Sequence, residues 1–121
     1  MIRGVFEGDI PLIGVVVAWG QSVQELFVIL DTGFTGDVQV TPRIAQDLGL
    51  EVVGVTRTRY ASGETVEVPV ALARATMEGV LSYIQVQISG GFPLVGISFL
   101  TKFGYKAIVD CKNRTVILER E

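Results

Sequence analysis

Phe27-Val28-Ile29-Leu30-Asp31-Thr32-Gly33-Phe34-Thr35-Gly36 is the stretch on which the fold of this chain turns. Four consecutive apolar residues predict a strand buried on both faces, and that strand ends in a carboxylate. An ionised carboxylate beside a core is costly unless something pairs with it or holds a proton for it, so Asp31 is a candidate catalyst. Gly33 and Gly36 permit tight turns and a close approach of backbone N–H groups to the carboxylate, while the Thr32 hydroxyl can cross-link the loop. The plainer alternative is a turn after a strand, since Asp and Gly are ordinary turn residues. At average usage the tripeptide alone turns up by chance in roughly one such chain in fifty, so its surroundings have to decide.

Those surroundings are rich in valine and isoleucine, in short runs broken by glycines, which predicts an all-β barrel or sandwich. Upstream, residues 1–7 and 12–19 read as strands, Gly20-Gln21 as a turn, and residues 24–30 as the strand that runs into Asp31. Downstream, Thr41 as cap, Pro42 at the first helical position and Gly49 just past the end predict a short helix through residues 43–48. Residues 51–60 and 64–73 flank Ala61-Ser62-Gly63 as a hairpin, residues 76–79 turn the chain, and residues 80–88 form the next strand. Residues 92–96 are apolar, residues 98–102 suit a second short helix, and residues 105–110 pair through Lys112-Asn113 with residues 115–119. A weak internal echo links residues 28–33 to residues 92–96, each an apolar strand ending near a glycine, and suggests two related halves.

Composition narrows the chemistry. The 121 residues, 49% hydrophobic, suit one domain over residues 1–121. Ten basic residues scattered among thirteen acidic ones give a net charge of −3, which argues against a nucleic-acid partner. With no histidine at all, Ser-His-Asp and Cys-His catalysis and histidine-based zinc sites are excluded, leaving carboxylates, lysine or hydroxyls. Cys111, the single cysteine, excludes an internal disulfide and reads as an inert packing residue. The longest apolar run, residues 10–19, is too short to span a bilayer, and acidic residues precede it, so the chain reads as cytoplasmic, complete from Met1 and without a membrane partner.

In order and spacing these parts resemble the retropepsin-like aspartic proteases, and more closely the small bacterial and archaeal members with an Asp-Thr-Gly-Phe-x-Gly signature. The resemblance covers nearly the whole chain: the apolar strand and Asp-Thr-Gly loop, a helix ending in Leu48-Gly49, a flap hairpin, the apolar-apolar-Gly segment Leu94-Val95-Gly96, a second helix and a final strand pair. It implies a closed retropepsin-like barrel with one or two short helices, working as a homodimer. Residue by residue it makes Asp31 the catalytic carboxylate, Thr32 the link between the two Asp loops across the dimer, and Gly33 a contact to the substrate backbone. Ala61, Ser62 and Gly63 fall in the flap, and Leu94, Val95 and Gly96 form the structural loop. Phe34 departs from the pattern, since retroviral members usually carry alanine there, and places a ring near the dyad surroundings or the pocket.

The implied mechanism needs two carboxylates sharing one proton, one acting as base toward a water while the other polarises the scissile carbonyl; this dyad is a standard worked case of shared protonation. Asp9, Asp37, Asp47 and Asp110 lack the Thr/Ser-Gly sequel, so a second Asp31 from a symmetry-related chain is the simplest source. The expected function is therefore a homodimeric aspartic endopeptidase without metal or cofactor. Its substrate would be an extended peptide or protein segment, paired through its backbone under the flap with side chains in apolar pockets. The rivals are a catalytically silent peptide-binding or assembly module on the same fold, and an unrelated barrel for a hydrophobic ligand. Asp37 is weighed between contact with the dyad loop and a solvated turn carboxylate near the helix entry, with the latter favoured, and Arg57 and Arg59 are expected to point to solvent. Trp19, Phe92 and Phe99 are weighed as groove or core aromatics, with core favoured. The terminal strands, residues 1–5 and 116–118, are expected to leave apolar edges for a partner.

Overall fold

Along the long strands buried apolar side chains alternate with more exposed ones, and the outward positions carry apolar residues such as Val16, Phe27, Val55 and Leu72 as well as polar ones. The computed structural model describes residues 1–60 and 62–120. In chain order the strands are β1 (Ile2–Arg3), β2 (Val5–Glu7), β3 (Ile10–Trp19), β4 (Ser22–Leu30) and β5 (Val38–Val40), followed by helix α1 (Pro42–Leu48). Next come β6 (Val52–Arg59), β7 (Thr65–Met77), β8 (Val80–Ile88) and β9 (Leu94–Val95), then α2 (Ile97–Phe103), β10 (Lys106–Asp110) and β11 (Thr115–Glu119).

Eight strands form one sheet in the order β2-β3-β4-β9-β5-β8-β7-β6. A further pairing of β3 with β7, through Val16↔Thr76, Val17↔Ala75 and Ala18↔Arg74, bends this sheet back on itself as a partial ring. The all-β expectation holds, with the ring joined by only those three residue pairs. Its interior is filled by Ile13, Val15, Val17, Val28, Val38, Val86 and Phe99, each with essentially no exposed surface. A fully buried valine or phenylalanine side chain contributes about 1.5–3 kcal/mol relative to exposure, so this cluster holds the ring together.

The first helix forms as its sequence predicts. Thr41 lies in an extended conformation and its Oγ1 accepts the Ile44 N–H at 3.2 Å, Pro42 opens the helix, and Gly49 closes it at φ 71°. Residues 1–7 differ from the single strand expected: the chain divides at Gly4, where a side chain would strike the Leu12 carbonyl and lie 2.6 Å from Val116 Cγ1. β1 pairs with β11 and β2 with β3. Consequently β11 is the centre of a three-stranded sheet β1-β11-β10, and Val116 and Leu118 are buried within the chain; the expected apolar edge at residues 116–118 is corrected. β7 also runs on through Thr76 and Met77, so the turn is Glu78-Gly79, with φ 49° and 78°.

Glu78 anchors the far end of that hairpin. Its carboxylate accepts the Met1 ammonium at 2.6 Å and the Tyr105 hydroxyl at 2.7 Å, and these two hydrogen bonds hold it below the usual carboxylate range. Arg120 lies 4.4 Å from the Tyr105 ring centre and 3.8 Å from Glu78, tying the chain's last strand to the same point. Asp110 caps the β10–β11 turn, accepting from the Asn113 backbone and side chain, which lowers its affinity for a proton. Cys111 is exposed on this turn, which corrects its reading as a packing residue. No described helix is long and apolar enough to cross a membrane.

Candidate active site

Asp31 leaves the end of β4 at the rim of a cleft of about 990 Å³. Behind it Val28 and Leu30 enter the core, so the backbone that carries the carboxylate is fixed by packing. The segment 94–95 then locks it from the side: β9 runs parallel to β4, pairing Ile29↔Leu94 and Leu30↔Val95, and the Asp31 N–H donates to the Val95 carbonyl at 3.0 Å. The two echoing segments of the sequence are thus neighbours in space, although β5 intervenes before the first helix and has no counterpart before the second.

The loop is closed by short local bonds. The Gly33 N–H donates to Asp31 Oδ1 at 2.9 Å, and the Phe34 N–H to the Asp31 carbonyl at 3.1 Å. Asp31 is half-buried, while Thr32 and Gly33 are exposed. Phe34 turns inward. Its ring lies over Gly36 and Gly96, and it is 8% exposed. Most of the ring is packed beneath the loop, and Phe34 still lines the cleft together with Asp31, so it lies beside the pocket.

Gly96 is what allows this. It is held by its N–H to the Asp37 carbonyl at 3.0 Å, and the Ile97 N–H reaches the Phe34 carbonyl at 2.9 Å. A Cβ on Gly96 would sit 2.6 Å from the Gly36 carbonyl and 2.7 Å from Phe34 Cδ2, and closer still to the Phe34 carbonyl. The segment Leu94-Val95-Gly96 therefore packs against the Asp31 strand and loop, and Leu94 lines the cleft.

Across the cleft stands the β6–β7 hairpin. Its turn is closed by the Tyr60 N–H to the Glu64 carbonyl and the Gly63 N–H to the Tyr60 carbonyl, both 2.9 Å, with Gly63 at φ 86°. Ser62 and Gly63 are exposed at its tip; Ala61 lies outside the described residues. Residues 56–60 of β6 and the turn overhang the cleft, so Arg57 and Arg59, though exposed, line it as well. Trp19, Phe92 and Phe99 do not line it: Phe99 is in the core, Trp19 half-buried and Phe92 exposed.

Asp37 is the main correction. It is 5% exposed, with Oδ2 accepting Lys102 Nζ at 2.6 Å and the Gln85 N–H at 2.9 Å. Its Oδ1 is buried with no partner. Strand alternation explains its position: Val38 and Val40 point into the core, so Asp37 and Gln39 point to the cleft. Ile84 and Val86 alternate with Gln85 and Gln87 in the same way on β8. The alternating Asp37-Val38-Gln39-Val40 and Ile84-Gln85-Val86-Gln87 were the signal that could have found this floor. The apolar pockets expected for side chains are in this wall replaced by a polar one. Among the described residues no His, Cys, Asp and Glu are grouped to hold a metal.

No protein-family model and no curated protein matches the sequence. The fold, however, matches solved structures. The EIAV protease complexed with the inhibitor HBY-793 superposes with a TM-score of 0.66 at 18% identity, over 84% of this chain and 95% of that one. A retropepsin-like aspartic protease from Rickettsia conorii gives a TM-score of 0.68 at 19% identity, over 98% of this chain and 89% of the other. The chain therefore has the retropepsin-like fold.

Proposed function

We propose that residues 1–121 act as a single retropepsin-like domain and that two copies form a homodimeric aspartic endopeptidase. The observation that carries this reading is Asp31: a carboxylate on a packed strand end, oriented by the Gly33 N–H, at the rim of a cleft overhung by a hairpin. A two-fold axis beside the loop would bring two such carboxylates together, and a pair at that distance shares one proton. The ionised member then takes a proton from a water as it attacks the scissile carbonyl, and the protonated member donates to the carbonyl oxygen. Thr32 would link the two loops through its exposed hydroxyl, Gly33 would meet the peptide backbone, and the hairpin with Ser62 and Gly63 would close over an extended peptide. The fold similarity to an aspartic protease and to an inhibitor-bound protease supports a peptide substrate over a silent assembly role.

Asp31→Asn tests it. Asparagine keeps the shape and a hydrogen-bonding group but neither carries the charge nor accepts the water's proton. The variant should lose peptidase activity and, relieved of carboxylate repulsion, dimerise at least as tightly as the wild type at pH 7. Cleavage and sedimentation equilibrium at pH 5 and pH 7 read both. Unchanged cleavage by the variant, or a monomer with full activity, would remove the shared dyad.

A further inference from the structure

Each sheet ends on strands with one side unbonded, and such edges turn alternate N–H and C=O groups outward, where another strand can meet them. β1 and β2 have two and three residues, too few to hold a second strand, which leaves β6 and β10. β6 is guarded. A register shift between Val52 and Gly54 interrupts its ladder, and it carries Arg57 and Arg59 with no acidic residue, so a second β6 would bring only like charges. β10 bonds to β11 on one side only, and its run Lys106-Ala107-Ile108-Val109-Asp110 has a cation at one end and a carboxylate at the other. Ile108 and Val109 are 38% and 40% exposed. Lys106 stands opposite Glu119 in register but forms no salt bridge among the described residues, and neither does Asp110, whose carboxylate accepts from Asn113.

This run is complementary to itself. A two-fold axis normal to a sheet keeps every side chain on its own face, so two copies of one strand meet antiparallel with a single residue opposite itself at the axis. With Ile108 at the axis all five residues find a partner: Ile108 meets Ile108 of the partner subunit, Ala107 the partner's Val109, and Lys106 the partner's Asp110, the last two twice by symmetry. An axis at Ala107 would set Lys106 against the partner's Ile108, and one at Val109 would set Asp110 there, each placing a charge on an apolar side chain. We propose that two copies of this chain associate through β10, in an antiparallel junction centred on Ile108 that merges two three-stranded sheets into one of six. This rests on the homodimer of the peptidase reading and adds which strand makes it. A dimer has one two-fold axis, so the junction lies on the axis that faces the two Asp31 loops. Helix α2 connects the two places: Gly96 at its start packs against Phe34, Tyr105 beyond its end leads into β10, and its seven residues rise about 10 Å.

The test uses the full chain with the exposed Cys111 replaced by serine. In that background Ile108→Cys should oxidise to a covalent dimer much faster than Val53→Cys, an equally accessible position on β6, because residues facing each other across a strand pair are close enough for a disulfide after a small shift. Lys106→Glu sets a carboxylate opposite a carboxylate at two places, so the dimer Kd from sedimentation equilibrium at pH 7 should rise at least about tenfold. Asp110→Lys should weaken self-association in the same way, and an equimolar mixture of the two variants should regain it as a heterodimer, since both pairs are then opposite in charge. Cross-linking at Ile108 no faster than at Val53, or an unaltered Kd in Lys106→Glu, overturns the junction. The cross-link decides alone if a charge variant does not fold. The oxidised Ile108→Cys dimer should cleave peptides as the reduced protein does, and cleavage lost on oxidation and regained on reduction would remove β10 from the working dimer. Peptide hydrolysis separates the two claims: a cleaving dimer indifferent to these changes removes the junction and keeps the peptidase, whereas a dimer governed by β10 that cleaves nothing keeps the junction and removes the peptidase.

Discussion

Replacing Gly96 by alanine should damage this protein more than any other single methyl placed on its glycines near the cleft. The backbone there has φ −119° and ψ −170°, which alanine adopts freely, so the penalty is steric alone. The new Cβ would stand 2.6 Å from the Gly36 carbonyl oxygen and closer to that of Phe34, where ordinary contact begins near 3.4 Å. Both obstacles are backbone, held by the Gly96 N–H bond to Asp37 and the Ile97 N–H bond to Phe34. Overpacking costs about 1–3 kcal/mol or somewhat more, and stretching two hydrogen bonds adds about 1 kcal/mol each. The sum is about 3–5 kcal/mol, a large part of the total stability of an ordinary domain. Urea titration at fixed protein concentration should move the midpoint down by about 2 M at a typical slope. Gly36→Ala meets only the Phe34 ring edge and the Gln87 amide, groups that can tilt, and should cost about 1–2 kcal/mol. Gly54→Ala, with nothing within 4 Å, should stay within about 0.5 kcal/mol of the wild type. A Gly96→Ala protein within about 1 kcal/mol of the parent, or the reverse ranking of the three, would refute the close approach of the two segments.

Lys102→Met leaves the Asp37 carboxylate buried without its cation, so stability should fall by about 2 kcal/mol or more, and adding Asp37→Asn should recover part of it; a double-mutant cycle in urea with no coupling would deny the pair. Gly63→Val places a β-branched residue at φ 86° on the hairpin tip and should slow peptide cleavage severalfold with little change in melting temperature, so unaltered kinetics would show that the hairpin is no lid. Glu78 holds its proton less readily folded than unfolded, so its contribution is present above its ordinary value of 4.5 and lost as pH falls through the lowered one. Glu78→Gln should therefore melt lower than the parent at pH 7, with the gap closing toward pH 3; a gap independent of pH would contradict the anchor.

Much of this was legible because strong local signals agreed with the tertiary structure. Thr41, Pro42 and Gly49 carry a cap, a helix start and a left-handed stop that no packing contradicts, and β8 and β11 fall at the residues their patterns imply. β5 was missed because three residues are too few to establish a period; its existence depends on β8 and β9, which supply both its neighbours. The division at Gly4 likewise depends on Val116, remote in sequence, as well as on the nearby Leu12 of β3. Asp37 was misread for a related reason. Its neighbours Gly36 and Thr35 suggest a turn, while the cation and the amide that enclose it come from residues 102 and 85. Asp31 itself was visible, since a carboxylate closing an apolar run followed by Thr-Gly is a local pattern.

The insertion of β9 between β4 and β5 has a consequence for how the protein is born. β4 and β5 flank the Asp31 loop in sequence, yet they are bonded to each other only through a strand that lies some distance further along the chain. At ordinary elongation rates of about 5–20 residues per second, a ribosome would finish the Asp31 loop seconds before it delivers residues 94–95. During that interval the growing chain carries the acid with its lateral support missing, and β1 still awaits β11. Such non-local pairing makes for slow folding and a late, cooperative closure. A truncated or stalled product ending before residue 94 would thus have no cleft of this geometry around Asp31.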